Sequence, residues 1–301
     1  MPTVSVIITT FNRERFLGGA IQSVLSQTYR DFELLVLDNS SSDGTAAVIA
    51  RRTNPRIRYM RHEPLTISAA RNLGVREARG GYVAFLDDDD EWLPRKLEQQ
   101  VAVFRRGPES LGLVYGGFTR IDERGVELGS HRPALRGRIL TELLWQRDAF
   151  TGSASNPMMR ASALAALGGF DEALPTSEDW ELYLRLAERF EVEYTPELLL
   201  RIRTHRGARL GDRIDEARRV EELVLSRYGP RMNARLRSLY LRKIGGKLCR
   251  TGAVREGRAR IREAIGADPL NPLAYAQYGL SFLGSSAYGR AHDVYRRHRP
   301  G

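Results

Sequence analysis

The segment Tyr82 to Leu97, YVAFLDDDDEWLPRKL, constrains the chain most. Tyr82 to Leu86 is short, apolar and uninterrupted, which predicts a central strand covered on both faces. Asp87 to Asp90 follow at once. Trp92 and then Pro94 come next, and proline is favoured in the first turn of a helix. The reading is strand, acidic turn, helix. Open α/β sheets bind ligands beyond the carboxyl ends of their strands, where this turn stands. Four adjacent carboxylates repel one another. The run reads either as a solvated loop that caps the next helix, or as a site at which a divalent cation neutralises the cluster. The abrupt switch from a buried strand to acid favours the cation. Carboxylate oxygens suit Mg²⁺ or Mn²⁺, commonly shared with substrate phosphates. Asp90, nearest the helix, is read as its cap.

A chain of 301 residues holds one large domain or two modest ones. Met1 to Thr10 lacks a basic start and enters a strand directly, so no secretory leader is expected. No apolar run approaches the ~20 residues that span a bilayer. The single cysteine, Cys249, forms no internal disulfide, fits a cytoplasmic protein, and reads as a small helix hydrophobe. Charge divides the chain. Residues 1–211 hold 28 basic and 28 acidic side chains, whereas 212–301 hold 19 and 9. The net charge of +10 therefore belongs to the last third. Such a tail is either a solvated Arg-rich helical surface or a contact for something anionic, such as the inner face of a membrane. Nucleic acid is not expected, because the tail has no recognised motif and its aromatics do not interleave with its basic residues.

Val4 to Thr10 is a β-branched run typical of a buried strand. Glu14 to Gln27 has helical spacing in Phe16, Leu17, Ile21, Val24 and Leu25. Phe32 to Leu37 predicts a second strand, followed by the polar turn Asp38 to Gly44 and a helix over Thr45 to Arg52. Ile57 to Met60 is a third strand, and Ile67 to Ala78 a helix ended by Gly80-Gly81. Strand and helix thus alternate into the Tyr82 strand, which predicts a parallel sheet. Beyond the Pro94 helix the alternation weakens. Strands are expected over Gly112 to Thr119, Val126 to Ser130 and Asn156 to Met159. Helices are expected over Ile139 to Trp145, Ala161 to Leu167 and Ser177 to Phe190. Two short strands are expected in Glu191 to Arg203, split by Pro196. The rest reads as helices: Ala217 to Tyr228, Arg231 to Cys249, Gly252 to Ile265 and Pro272 to Leu283. The last two resemble one tetratricopeptide-type pair, or are an ordinary helical hairpin.

Four segments, VSVIITTFNR, LVLDNSSSDGT, SAARNLGVREARGGYVAFLDDDDEW and SEDWELYLRLA, together resemble the family 2 glycosyltransferases. These are inverting enzymes of the GT-A fold that use nucleotide-activated sugars. The resemblance covers about residues 2–211, in order and at the usual spacing, and implies a nucleotide-binding half (1–93) and an acceptor half (94–211). The helical extension 212–301 lies outside it. In such enzymes Thr9 and Phe11 would stand at base contacts. Asp38, at a strand end, would take the ribose or base. Asn39 occupies a place where the family has a second acidic residue. An amide oxygen still accepts from a ring N–H, so the base could be uracil, thymine or guanine. Arg71 would reach a phosphate or the base edge. Asp87, Asp88 and Asp89 match the DXD motif, with Asp89 as the metal ligand and Asp87 and Asp88 nearer ribose or metal. His205 would contact metal or diphosphate.

Inverting displacement needs one general base, on the face of the sugar opposite the leaving group. Asp179, in the first turn of the SEDWELYLRL helix, fits that role and matches the family's base. Glu178 and Trp180 would stand on the acceptor side. The implied activity moves a sugar from a UDP, dTDP or GDP donor to a sugar or lipid-linked acceptor, for surface polysaccharide, lipopolysaccharide or glycolipid. The competing reading is a catalytically degenerate scaffold whose basic helical tail recruits a partner. A nucleotidyltransferase is disfavoured, since the loop after the first strand, Phe11 to Arg15, lacks glycines.

Overall fold

The structure, a computed structural model, describes residues 1–145, 150–174, 176–205 and 214–290. The chain divides into two compact units, residues 1–208 and 209–301. The boundary expected at 211/212 lies outside the described residues.

The first unit is built on a mixed sheet, with nine strands among the described residues in the order β3-β2-β1-β4-β8-β6-β9-β5 and β7 beside β6. Strands β1 (Val4–Thr10), β2 (Phe32–Asp38), β3 (Ile57–Arg61) and β4 (Tyr82–Asp87) are mutually parallel. Helices α1 (Glu14–Leu25), α2 (Thr45–Ala50) and α3 (Ile67–Glu77) connect them. This is the alternation the sequence predicts. Residues 4–8, 32–38 and 83–86 are buried on both strand faces, because helices cover each side.

After the acidic turn comes a two-residue strand, β5 (Glu91–Trp92), then α4 (Lys96–Arg106). β5 is too short to leave a sequence signal. It pairs with β9 (Glu191–Arg203), Trp92 opposite Leu200, and so ties the turn to a strand more than a hundred residues away. β6 (Leu111–Ile121) and β7 (Glu127–His131) form a hairpin. α5 (Leu140–Trp145), β8 (Met158–Arg160), α6 (Ala161–Leu167) and α7 (Glu178–Arg189) complete the unit. β8 runs antiparallel to both β4 and β6, breaking the parallel order in the acceptor half.

β9 is one strand, and corrects the expectation of two. Gly116 faces Thr195 while the next residue, Gly117, faces Leu198. Pro196 has no N–H for the ladder, so Pro196 and Glu197 loop out as a bulge and pairing resumes beyond them.

The second unit is helical throughout its described residues. It contains α8 (Ile214–Tyr228), α9 (Ala234–Arg250), α10 (Val254–Ala267) and α11 (Pro272–Leu280). α9 and α10 meet backbone to backbone. A Cβ placed on Gly257 would lie 2.7 Å from the Gly245 carbonyl oxygen, and one on Gly245 equally close to that of Gly257. Cys249 is buried in this contact, a packing residue as read. Among the described residues no helix is long and apolar enough to cross a membrane.

Candidate active site

The parallel register sets two carboxylates on either side of the end of β1. Asp38 closes β2 opposite Thr10, and Asp87 closes β4 opposite Thr9. Asp38 is fully buried: Oδ1 accepts from the Ser41 N–H at 2.8 Å and Oδ2 from the Tyr59 hydroxyl at 2.7 Å. Burial alone would raise its carboxyl. Bonds from Ser41 and Tyr59, with Arg61 nearby, outweigh that and hold it below the usual value. Burial first, and then the same contact, push the Tyr59 phenol up to about 12. Asn39 exchanges both amide contacts with the main chain of Leu65, at 3.0 and 2.7 Å. Thr9 is half-buried, and Phe11 stands out at 55 % exposure. The loops after β1 and β2 are laced together, for Asn12 Oδ1 accepts from Ser42 N and Glu14 Oε2 from Gly44 N.

The acidic turn splits by role. Asp90 is buried: Oδ1 accepts from Arg203 N at 2.8 Å, and Oδ2 accepts from Ser153 and Ser155 hydroxyls at 3.1 and 2.6 Å. It does not cap α4, whose N-cap is Arg95 with no side-chain bond; the three donors from Arg203, Ser153 and Ser155 claim it instead. Asp87, Asp88 and Asp89 turn to different partners. Asp87 Oδ1 meets Arg71 at 2.9 Å, Asp88 Oδ1 meets Arg13 at 3.6 Å, and Asp89 Oδ2 meets His205 Nε2 at 2.8 Å. Glu123 stands 3.6 Å from the other nitrogen of His205. Arg203 clasps the turn from β9, through the Asp89 carbonyl at 3.0 Å and Glu91 at 2.8 Å.

Burial raises the Asp88 carboxyl to about 7; the Thr10 hydroxyl and Arg13 oppose the rise, while Asp89 and Asp87 add to it. Asp87 is raised too, by burial first and then by Asp89 and Asp179, against Arg71. Carboxylates driven towards the neutral form by burial, and further by one another, are a donor set that a hard cation would satisfy. Among the described residues no three acidic, His or Cys side chains form a ready-made cluster. Mg²⁺ and Mn²⁺ bind through one or two carboxylates plus substrate phosphates, so the splayed aspartates fit such an ion once a diphosphate supplies further oxygens.

α7 brings the opposite side. Glu178 Oε1 lies 2.6 Å from Arg71 Nη1, while Asp179 is half-buried and accepts from Trp180 N at 2.6 Å. Trp180 itself is buried. Asp179 acts electrostatically on Arg71, Asp87, Glu178 and Tyr183, which places the α7 terminus beside the acidic turn. Glu178 is raised by burial, then by Asp179 and Asp87, with Arg71 opposing. Among the described residues, Asn12, Ser40 and Ser177 are the non-glycines at positive φ, at 52°, 62° and 62°. One follows β1, one follows β2 and one precedes α7, so backbone strain gathers around this cleft.

The profile described as Glycosyl transferase family 2 matches residues 5–168. The chain belongs to glycosyl transferase family 2. A relative from Methanocaldococcus jannaschii, an uncharacterized glycosyltransferase, is 31 % identical over 67 % of this chain and 71 % of its own. An Escherichia coli UDP-Glc:alpha-D-GlcNAc-diphosphoundecaprenol beta-1,3-glucosyltransferase is 36 % identical over 41 % of this chain and 48 % of its own. The chain spans about a third (34 %) of the length of two Rickettsia relatives, both uncharacterized glycosyltransferases. The fold is of the GT-A type. It is similar to S. aureus TarS 1-349 in complex with UDP-GlcNAc, with a TM-score of 0.65 and 16 % identity over 99 % of this chain and 92 % of that one. A Pyrobaculum calidifontis mannosyltransferase in complex with GDP-Man and Mn2+ aligns with a TM-score of 0.52 and 17 % identity, over 100 % of this chain and 76 % of that one.

In this family 2 chain the cleft gathers Arg71, Asp87, Asp88, Asp89, Glu178, Asp179 and His205, named from sequence. Asp38 and Asn39 line the same strand ends but spend their polar atoms on Ser41, Tyr59 and Leu65. Residues that sequence reasoning missed are Arg13, Tyr59 and Arg203. Each acts through a partner distant in sequence, so no local pattern marks it. Ser155, expected with Ser153 to Asn156 on the acceptor side, instead bonds Asp90 and Asp87.

Proposed function

We propose that the protein transfers a sugar from a nucleoside-diphosphate donor to an acceptor hydroxyl, with inversion and with Mg²⁺ or Mn²⁺ bound at the acidic turn. The observation that carries this reading is the meeting, in one cleft, of the turn Asp87 to Asp89 and the first turn of α7 with Asp179. The first suits a diphosphate and its cation; the second puts a carboxylate where an acceptor hydroxyl would lose its proton.

Asp89, with His205 beside it, and Asp87 or Asp88 would hold the cation, which would neutralise charge on the departing diphosphate. The half-exposed Phe11 ring, Thr9 and the loop from Asp38 to Ser41 would border the base and ribose. With its amide on Leu65, Asn39 shapes that border through the main chain it pins. Asp179 would accept the acceptor proton as its oxygen attacks the anomeric carbon and the C–O bond to the diphosphate breaks. Glu178 is tied to Arg71, and Trp180 is packed inward, so both serve the acceptor side by holding α7.

The name of the Escherichia coli relative supports a lipid-linked acceptor, which suits a role in surface polysaccharide. The basic extension 212–301 then suits an anionic leaflet on the cytoplasmic face, a placement that fails if the protein does not float with phosphatidylglycerol vesicles at low salt.

A thermal-shift screen of UDP, dTDP, GDP and CMP, each with and without Mn²⁺, tests the donor site. A ligand at 100 times its dissociation constant adds about 2.7 kcal/mol of stability. One diphosphate is expected to stabilise only with metal, and Asp89→Ala to remove the effect. No shift with any nucleotide would favour the degenerate scaffold.

A further inference from the structure

We propose that Arg71 is a positioning residue, the fork that fastens the acidic turn to the start of α7 and thereby sets Asp179 against the donor side. The inference rests on the glycosyl-transfer reading and assigns Arg71 a different part from a phosphate or base ligand.

Arg71 is 5 % exposed. Nη2 lies 2.9 Å from Asp87 Oδ1 and Nη1 2.6 Å from Glu178 Oε1. Its Cζ stands 5.8 Å from the Phe85 ring centre and 5.5 Å from that of Phe170, and those two rings meet edge to face at 5.2 Å. Both Nη atoms are engaged by carboxylates and the side chain is buried, so a donor phosphate would meet the two acidic partners before the guanidinium. A buried charge is retained only where its partners are fixed. Here the partners come from β4 and α7, elements that no strand pairing joins.

The neighbouring residue does the same for the approach to α7. Asn72 Nδ2 donates to the Phe170 carbonyl at 2.9 Å and to Glu172 at 2.8 Å, and Asn72 Oδ1 accepts from Phe170 N at 2.8 Å. Two consecutive residues of α3 thus grip the turn and the segment leading into α7. The N-cap of α7, Ser177, sits at φ 62°. The ion pair of Glu178 anchors the first turn, one residue from Asp179. Lysine cannot replace the fork, for its single ammonium does not span two carboxylates in fixed directions.

The test compares full-length wild type with Arg71→Lys, Arg71→Met, Glu178→Gln and the Arg71→Met/Glu178→Gln pair. Calorimetric titration with UDP and GDP in Mn²⁺ reads the donor side. Release of nucleoside diphosphate from the sugar nucleotide accepted by wild type reads turnover. Arg71→Lys and Glu178→Gln are expected to bind the diphosphate within about threefold of wild type, keep the donor KM, and lose about 100-fold in kcat, the scale of a 1 Å misplacement. A loss of tenfold or more in diphosphate affinity in Arg71→Lys but not Glu178→Gln, about what a lost charged hydrogen bond costs, would make Arg71 a donor ligand and overturn the proposal. Unchanged kcat in Glu178→Gln would overturn it too. Urea unfolding of the pair decides the coupling without substrate: the double variant should unfold at the midpoint of Arg71→Met alone, and additive midpoints would refute the fork. Wild type that binds no nucleotide would instead sink the glycosyl-transfer reading.

Discussion

Asp90 Oδ2 accepts a 2.6 Å hydrogen bond from Ser155 Oγ, and the same hydroxyl oxygen accepts from the Asp87 N–H at 3.0 Å. One serine thus joins the two ends of the acidic run from below, while Trp92 Nε1 holds the Ser155 carbonyl at 2.8 Å. Asp90 is therefore the structural member of the four. Asp90→Ala would strand the partly buried Arg203 N–H and Ser153 hydroxyl and the buried Ser155 hydroxyl, and is expected to cost about 2–4 kcal/mol in urea unfolding. Asp89→Ala removes a partly exposed contact with His205, and is expected to cost about 1 kcal/mol or less while abolishing metal-dependent nucleotide binding. Equal stability losses in the two variants would refute the division.

Acid should weaken the other end of the sheet through Glu33. It is 7 % exposed and accepts from Ser5 Oγ at 2.6 Å, Arg79 N at 2.7 Å and Arg58 at 3.1 Å. Burial pushes its carboxyl up, but those bonds and the Arg58 charge prevail and hold it below the usual glutamate value. A carboxyl depressed in the folded state adds stability that is complete above the unfolded value, about 4.3, and is lost as pH falls from there through the folded one. Glu33→Gln should therefore lower stability at pH 7 and lose less than wild type between pH 5 and about pH 3. Parallel pH curves for the two proteins would contradict this.

What could be read from sequence, and what could not, follows the range of the interactions. The β-branched and apolar runs at Val4, Phe32 and Tyr82 are local signals, and strands β1, β2 and β4 lie where they predict. Pro196 is equally visible, but its consequence depends on β6, which carries the ladder past the bulge. Asp90 has the same side chain as its neighbours. Only Ser153, Ser155 and Arg203, brought in from β9 and the loop before β8, separate it from them. Asn39 reads as a binding residue because it stands at a strand end, yet Leu65 takes both sides of its amide. Sequence thus located the cleft by its carboxylates, while the partition of those carboxylates among partners required the fold.

In the helical unit, Gly257→Ala opposes helix propensity to packing. Propensity favours alanine by about 1 kcal/mol. The added methyl would lie 2.7 Å from the Gly245 carbonyl oxygen, a backbone atom that no rotamer change can move. Overpacking should win, with a net loss of about 1–3 kcal/mol in urea unfolding. Nucleotide affinity should be unchanged, since the donor residues all lie before residue 206. A stabilised Gly257→Ala protein would mean that α9 and α10 do not cross so closely.

Asp179→Asn separates the proposed base from its structural surroundings. Asp179 Oδ1 accepts from Trp180 N at 2.6 Å, and an asparagine oxygen can keep that bond. The start of α7 and the Arg71–Glu178 pair should therefore survive, and with them diphosphate binding in Mn²⁺. What the amide cannot do is take the proton of the attacking hydroxyl. Transfer to acceptor is expected to fall by about 10²–10⁴, with the donor dissociation constant unchanged by titration. A variant that transfers at the wild-type rate would move the base elsewhere, and Glu178, the adjacent carboxylate in that turn, would be the next to substitute.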